Sequence, residues 1–276
     1  MSNIEFLLFI FLSSFLLQVY LVIRSIGKKS PRILIKYFFA PVLISLVISY
    51  LLQALFAISE MSMRQLIGNL LVALWCVKSF YSYKSVKMVL LIDTLNTMRK
   101  SISDKNYMSL ILTVLKISFI QFLCFSSIFS LNYLSGYSKL NFVDLSGLII
   151  AATGIALEIY SENKVKKSQK NRLIDGGLWS FVKHPNLFGI WLFFLGIQVL
   201  AFGAVGSVWS LIGLILVSIL IFKYVFFEYE NKLASKYQNY VAGENLSGFF
   251  PFFDSKLSPE STYHSDPPGG GGGTKV

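Results

Sequence analysis

The sequence predicts an all-α protein, a polytopic membrane helix bundle of six or seven transmembrane helices with a cytoplasmic carboxyl-terminal segment. Three observations lead to this fold class. Of the 276 residues, 54% are hydrophobic and only 14% are charged, whereas a soluble domain carries about 25% charged residues. The apolar residues are gathered into long runs, and most lysines and arginines lie in alternate loops between those runs.

Seven apolar runs approach or exceed the length that crosses a bilayer, about 20 residues. They cover residues 4–23, 34–58, 66–83, 108–133, 145–160, 187–202 and 208–227. A stretch of small residues at 203–207 joins the last two runs as a tight hairpin, so a count of six stays open. The first run has no basic segment before it and no small-residue cleavage site after it, which predicts a retained helix.

The basic residues between the runs predict the orientation. With the amino terminus outside, the inner loops hold nearly all of the Lys and Arg residues, and the outer loops hold only Arg64 and Lys139. Cytoplasmic loops are enriched in Lys and Arg. The net charge of +11 therefore marks the cytoplasmic side, where the carboxyl terminus also lies, and does not indicate nucleic-acid binding.

The domain organisation is predicted to be one transmembrane domain over residues 1–253, followed by a disordered tail at 254–276. The tail is rich in Ser, Pro, Asp and Gly, a composition that builds no core. Cys76 and Cys124 both lie inside apolar runs. We therefore expect them to pack in the interior and to form no disulfide or zinc site.

Residues 158–251 interleave polar and apolar side chains in a way that a lipid-facing helix does not require. Glu158 and Glu162 are four residues apart near the inner end of the fifth run and therefore share one helix face. A carboxylate at that depth must face protein or water. These two either neutralise Lys166 and Lys170 or accept hydrogen bonds from the ribose hydroxyls of a nucleotide cofactor.

A His-Pro-Asn tripeptide precedes the sixth run. Pro185 disfavours helix at His184, and Asn186 is expected to be the N-cap of the next helix. The free amides of a helix amino terminus bind anions or carbonyl oxygens, so Asn186 is a simple cap, a cofactor ligand, or both. The other histidine, His264, lies in the tail, and no metal site is expected.

The stretch 176–189 reads Gly-Gly-Leu-Trp-Ser-Phe-Val-Lys-His-Pro-Asn-Leu-Phe-Gly. It resembles the Gly-Leu-Trp, Arg-His-Pro-Asn-Tyr and Phe-Gly-Glu signature of the DUF1295 membrane proteins, which are related to the carboxyl-terminal domain of steroid 5α-reductases. The same superfamily includes sterol C=C reductases and isoprenylcysteine carboxyl methyltransferases. The resemblance covers residues 35–251, with further matching segments at 74–78, 120–122, 144–147 and 154–162.

This resemblance implies an NADPH cofactor at the cytoplasmic face. It places Asn186 on the nicotinamide amide and Glu158 and Glu162 near the adenosine. The other positions that it assigns to the cofactor are Lys183 and His184 of the basic-His-Pro segment, Lys223 near the phosphates, and Tyr237 and Tyr240 in the closing stretch. Without a cofactor, Lys223 would extend its charge to the membrane interface, and the two tyrosines would belong to an aromatic belt.

Several positions depart from the family pattern. Lys183 replaces an arginine and lacks its bidentate fork, Leu187 replaces a tyrosine, and Ile190 replaces the acid that lies near the nicotinamide in reductases. Ala54 and Ser79 stand where steroid reductases use a Glu and a Tyr to polarise the substrate enone. Loss of such an oxyanion donor costs about 3 kcal/mol.

The candidate substitute for the missing catalytic donor is Lys78. Trp75 and Lys78 match the family's Trp and Arg positions on the third helix, and a lysine within a membrane run needs a partner or a wet cavity. The predicted function is NADPH-dependent reduction of a C=C bond in a steroid-like or isoprenoid lipid taken from the bilayer. The alternatives are an S-adenosylmethionine-dependent methyltransferase of the isoprenylcysteine type, which the acids Glu228 and Glu230 would suit, and a non-enzymatic membrane or lipid-binding protein.

Overall fold

The computed structural model describes residues 3–27, 37–56, 62–81, 97–98, 100–101, 103–104, 106–134, 139–167, 177–182, 184–203, 207–226 and 231. The regular secondary structure of these residues is entirely helical, which confirms the predicted all-α class. Among the described residues there are eight α-helices: α1 (Asn3–Gly27), α2 (Ala40–Phe56), α3 (Met63–Tyr81), α4 (Tyr107–Cys124), α5 (Ser126–Leu134), α6 (Phe142–Lys167), α7 (Pro185–Phe202) and α8 (Leu211–Ile219). The predicted tail at 254–276 lies outside the described residues.

Two of the predicted runs are not single α-helices. The run at 108–133 divides at Phe125, whose backbone leaves the helical conformation while its amide still donates to the Gln121 carbonyl. The last run begins with a 3₁₀ turn (Ser207–Ser210), continues as α8 and ends as a π-helix (Leu220–Phe226). Continuous hydropathy does not reveal such changes, because the apolar character of a run is independent of its hydrogen-bond pattern.

Within the part of the chain that the structure describes, four helices are long and apolar enough to cross a membrane, and they fit a multi-pass membrane protein. These segments are Leu7–Arg24, Tyr107–Cys124, Phe142–Val165 and Pro185–Phe202. Two shorter apolar helical segments are Ala40–Leu52 and Val208–Phe222. Helix α3 is more polar, since it carries Arg64, Gln65, Asn69 and Lys78.

Helices α6 and α7 form a closely packed antiparallel pair because small residues line their interface. A Cβ atom added to Gly154 of α6 would lie 2.6 Å from the Gly189 carbonyl oxygen of α7, and one added to Gly147 would lie 2.7 Å from the Leu200 amide nitrogen. The two backbones therefore touch, as small residues allow in membrane helix pairs. This contact fixes the relative height of the two helices.

The interior is built around aromatic side chains. Trp75 of α3 is 1% exposed and stacks on Phe193 of α7, with ring centroids 4.9 Å apart and an interplanar angle of 6°. Phe125 and Phe194 pack on the same indole. Cys76 and Cys124 are both buried, as predicted.

Candidate functional site

Two helices that run in the same direction, α3 and α6, carry the buried charges of the described residues. Arg64 of α3 binds Asp144 of α6, and Lys78 of α3 binds Glu158 of α6. Each helix separates its two charges by fourteen residues, which is about four turns and about 21 Å of helix. The charged residues therefore lie on one face of each helix, and the two ion pairs are at opposite ends of the pair.

The end near the carboxyl termini of α3 and α6 contains four side chains that we call the Lys78 cluster: Trp75, Lys78, Glu158 and Glu162. The Lys78 ammonium lies 2.6 Å from Oε1 of Glu158 and 2.9 Å from Oε1 of Glu162. The Trp75 indole nitrogen donates to Oε2 of Glu158 at 2.9 Å. Both oxygens of Glu158 thus face a donor on α3.

Burial makes these contacts obligatory. Glu158 is 0% exposed, Glu162 is 7% exposed, and the Lys78 side chain is 11% exposed. Taking a charge out of water costs several kcal/mol unless an opposite charge and hydrogen bonds compensate it. The expectation that Lys78 needs a partner is confirmed, and among the described residues it has two, Glu158 and Glu162.

The α6–α7 contact places the beginning of α7 beside this cluster. The backbone of Gly189 lies against the backbone of Glu158, since a Cβ on Gly189 would be 2.9 Å from the Glu158 nitrogen. The helices are antiparallel, so one turn further along α6 and one turn earlier on α7 bring Glu162 and Asn186 to the same level. Asn186 is half-buried there.

The expected N-cap position of Asn186 is wrong. The N-cap of α7 is His184, which forms no side-chain capping hydrogen bond, and Pro185 occupies the first helical position. Proline is favoured at that position because its fixed φ suits a helix and its missing N–H is not needed. Asn186 is therefore the second residue of α7, and its backbone amide is among those without an intrahelical acceptor.

Two aromatic contacts bring further segments to the same end of the bundle. The buried His184 ring lies edge-on to Phe226 at the end of the π-helix, with centroids 5.2 Å apart. The Lys164 ammonium lies 5.4 Å from the ring centroid of Trp179, which belongs to the 3₁₀ turn Gly177–Ser180. The Gly-Leu-Trp and His-Pro-Asn segments thus flank the carboxyl-terminal part of α6.

The predicted site residues divide into three groups. Lys78, Glu158 and Glu162 are in direct contact, and His184 and Asn186 lie at the amino terminus of α7 at the same end of the bundle. Lys223 lies on the π-helix, but its side chain is outside the described residues. The described residues do not include Lys183, Tyr237 or Tyr240.

The chemistry of the cluster is that of hydrogen bonds and charge. Two carboxylates, one ammonium and the first amides of α7 offer acceptors and donors for a polar ligand. Among the described residues, no group of three His, Cys, Asp or Glu side chains is arranged to hold a metal ion.

The sequence reasoning missed the ion pair at the other end of α3 and α6. Arg64 was assigned to an outer loop, but it is the second residue of α3 and is 1% exposed. Its guanidinium donates to both oxygens of Asp144, at 2.5 and 2.7 Å, and to the Gly203 carbonyl at 2.8 Å. The equal spacing of the charges in the two helices, fourteen residues in each, is the signal that would have found it.

A buried amide network adjoins this second ion pair. Asn69 of α3 and Asn132 of α5 exchange two side-chain hydrogen bonds of 2.6 and 2.8 Å. The side-chain amide of Gln65 donates to the backbone carbonyl of Asn132 at 2.8 Å. These bonds connect α3 to α5, so that α3 is held on two sides by polar contacts.

A comparison with known families gives one match. A family model described as a protein of unknown function, DUF1295, matches residues 34–243. No curated protein and no solved structure matches the chain. The matched region contains the Lys78 cluster, the amino terminus of α7 and the π-helix. The chain therefore belongs to the DUF1295 family.

Proposed function

We propose that this protein is a membrane-embedded oxidoreductase that uses NADPH to reduce a C=C bond in a steroid-like or isoprenoid lipid. The observation that carries the proposal is the Lys78 cluster beside the amino terminus of α7. Intramembrane ionisable groups are expensive and mark functional sites by default. The resemblance of the 176–189 segment to the steroid reductase superfamily supplies the reaction class.

The orientation is part of the proposal. The Lys and Arg residues of the loops favour an external amino terminus and a cytoplasmic carboxyl terminus. The Lys78 cluster then lies at the cytoplasmic end of α6, within reach of a soluble dinucleotide. The lipid would enter sideways from the bilayer.

The residues present fit NADPH in part. The first amides of α7 and the Asn186 side chain suit a carboxamide, Glu162 suits the ribose hydroxyls, and Lys183 and Lys223 suit the phosphates. Glu158 is 0% exposed and its two oxygens contact Trp75 and Lys78, so a positioning role suits it better than direct contact with the cofactor. We therefore assign Glu158 to positioning Lys78.

NADPH, when bound, would supply a hydride to one carbon of the C=C bond, and a proton from water would complete the reduction at the other carbon. The residues of the chain orient the lipid. They also stabilise the negative charge that develops on the carbonyl oxygen of the lipid. An ammonium has three hydrogens to donate, and two point to Glu158 and Glu162. The third suits a substrate carbonyl oxygen, which makes Lys78 the proposed catalytic donor in place of the acids that Ala54, Ser79 and Ile190 do not supply.

The second candidate is the S-adenosylmethionine-dependent methyltransferase. The observation that favours it is Ile190, which stands at the acidic position of reductases and packs against the hydrophobic core. A non-enzymatic membrane or lipid-binding protein would bind neither nucleotide.

Ligand-induced thermal stabilisation separates the three functions, because a ligand that binds only the folded state raises the melting temperature. We expect the detergent-solubilised protein to be stabilised by NADPH and not by S-adenosylmethionine. Asn186→Ala should remove the NADPH response, and Asn163→Ala, at an exposed position of α6, is the matched control. Stabilisation by S-adenosylmethionine alone favours the methyltransferase, and stabilisation by neither removes the enzymatic proposals.

A further inference from the structure

A lysine near the middle of α4 takes no part in the two ion pairs. Lys116 is the tenth of the eighteen residues of the apolar, membrane-length segment Tyr107–Cys124. Its side chain is exposed, and no described residue forms an ion pair or a side-chain hydrogen bond with it. In a bilayer this side chain would face lipid or another molecule in the membrane.

The depth of Lys116 makes its charge costly. It is nine positions from Tyr107 and eight from Cys124, which correspond to about 14 and about 12 Å along the helix. The four-carbon stem of a lysine spans little more than one helical turn, so the ammonium stays within the apolar length of α4. Lysines near the ends of a span extend to the headgroups, whereas ionisable residues inside a span pair with an opposite charge or line a wet cavity.

The carboxylates of the four membrane-length segments are not available to Lys116. These segments contain three carboxylates, all on α6: Asp144, Glu158 and Glu162. Asp144 binds Arg64, the two glutamates bind Lys78, and none of the three is more than 7% exposed. Within the described residues, a second copy of this chain therefore offers no exposed carboxylate in a span either. This favours an anion that comes from a different protein.

The surface around Lys116 has the spacing of a helix–helix seam. Four exposed apolar residues follow one another at steps of four, three and four: Met108, Leu112, Leu115 and Phe119. Such spacing defines one apolar stripe, the a and d positions of a heptad. Lys116 then occupies the adjoining e position, where charged residues pair between helices and determine the choice of partner. Only 22% of the segment is buried, so no described element covers this face.

We propose that this face of α4 is the docking surface for a transmembrane helix of another protein, one that carries an aspartate or a glutamate at the depth of Lys116. The apolar stripe packs against the partner helix, and the carboxylate of the partner binds the Lys116 ammonium. Each charge then compensates the other in the bilayer, which an uncharged helix could not do. This docking is independent of the proposed reductase activity, because α4 contributes no residue to the Lys78 cluster.

The first test uses synthetic transmembrane helices as the partner. The full-length protein, with the photocrosslinker p-benzoylphenylalanine in place of Leu112, is reconstituted in phosphatidylcholine vesicles. A polyleucine peptide is added that carries glutamate, glutamine or leucine at its central position. We expect about tenfold more crosslinking to the glutamate peptide than to the leucine peptide, a factor within the range of interhelical polar contacts, and an intermediate amount with glutamine.

Variants of Lys116 show whether its charge causes the preference. Lys116→Met should remove the preference for glutamate, and Lys116→Glu should transfer it to a peptide with a central lysine. Lys139→Met, at an exposed position before α6, removes a lysine outside the spans and should change nothing. Equal crosslinking of the three peptides, or a preference that survives Lys116→Met, would show that the lysine extends to the headgroups and would overturn the proposal.

The second test looks for the natural partner. The same crosslinker at position 112 is activated in the membrane of the cell that produces the protein, and mass spectrometry compares the products of the original chain with those of Lys116→Met. We expect a product that depends on Lys116 and contains a membrane protein with an acidic residue inside a span. No Lys116-dependent product, or a crosslink to a second copy of the chain or to lipid alone, would contradict the proposal.

Discussion

Lys78 of α3 and Glu158 of α6 form a buried ion pair, with Nζ 2.6 Å from Oε1. The partner residues are 80 positions apart in the sequence. A second ion pair, Arg64 with Asp144, joins the same two helices four turns away. The two cations of helix α3 are thus neutralised by carboxylates of α6 near both ends of the helix, and the place of α3 in the bundle depends on that helix.

Removal of the Lys78 ammonium should strongly destabilise the protein. Lys78→Met leaves Glu158 and Glu162 buried without their cation, and breaking a buried pair in this way costs about 3–5 kcal/mol. Unfolding in mixed detergent measures the loss. Lys116→Met is the control, because Lys116 also lies in an apolar helix but is exposed. Combining Lys78→Met with Glu158→Gln and Glu162→Gln should restore part of the stability; no restoration would contradict the ion-pair assignment.

Trp75→Phe should separate the stacking of the indole on Phe193 from its hydrogen bond to Glu158. The phenyl ring preserves most of the stacking on Phe193, but the hydrogen bond to the Glu158 carboxylate is lost, which costs about 1.5–3 kcal/mol for a charged acceptor. The same unfolding assay measures the change. Trp209→Phe, at a position that is 39% exposed, should change stability by less than about 0.5 kcal/mol. Equal effects of the two substitutions would show that the Trp75 hydrogen bond contributes little.

Gly154→Leu should separate α6 from α7. Any Cβ at this position lies 2.5 Å from the Phe193 nitrogen, and backbone atoms cannot move away as a side chain can. We expect a loss of more than about 3 kcal/mol, above the usual cost of overpacking. Ala152→Leu, on the exposed face of the same helix, should be tolerated. A stable Gly154→Leu variant would contradict the close backbone contact.

Arg64 and Asp144 should show strong energetic coupling. Arg64→Met leaves the 3%-exposed Asp144 carboxylate without its bidentate partner, at a cost of about 3–5 kcal/mol. The double variant Arg64→Met/Asp144→Leu should be less destabilised than the sum of the single variants by about 1–3 kcal/mol. Arg24→Met, at an exposed site, controls for the loss of an arginine. Additive single effects would show that the two side chains act separately.

The fold class could be predicted because hydropathy is a local property. Each apolar run is long enough to define a helix by itself, and the runs at 4–23, 145–160 and 187–202 correspond to α1, α6 and α7. The break at Phe125 and the π-helix after Ile219 were not predicted. Both depend on packing against other helices, which a run of apolar residues does not encode.

The candidate site was predicted in part because some of its features are also local properties of the sequence. Glu158 and Glu162 were placed on one face by their spacing, and the membrane position of Lys78 indicated that it has a partner. The sequence offered Lys166 and Lys170 as partners of the carboxylates, at helical spacing. The structure places both carboxylates on Lys78 of another helix, whereas Lys170 and the side chain of Lys166 lie outside the described residues.

The sequence by itself determined that this chain is a helical membrane protein, that it belongs to the DUF1295 family, and that its few intramembrane charges need partners. Only the tertiary structure decided which charges meet. The reason is that insertion into a bilayer depends on the summed hydropathy of each segment, whereas ion pairing depends on the height and rotation of one helix against another. Here the equal spacing of the charges on α3 and α6 lets both ion pairs form at one height of α3 against α6. The same spacing puts the charges of each helix on one face, so that one rotation serves both pairs.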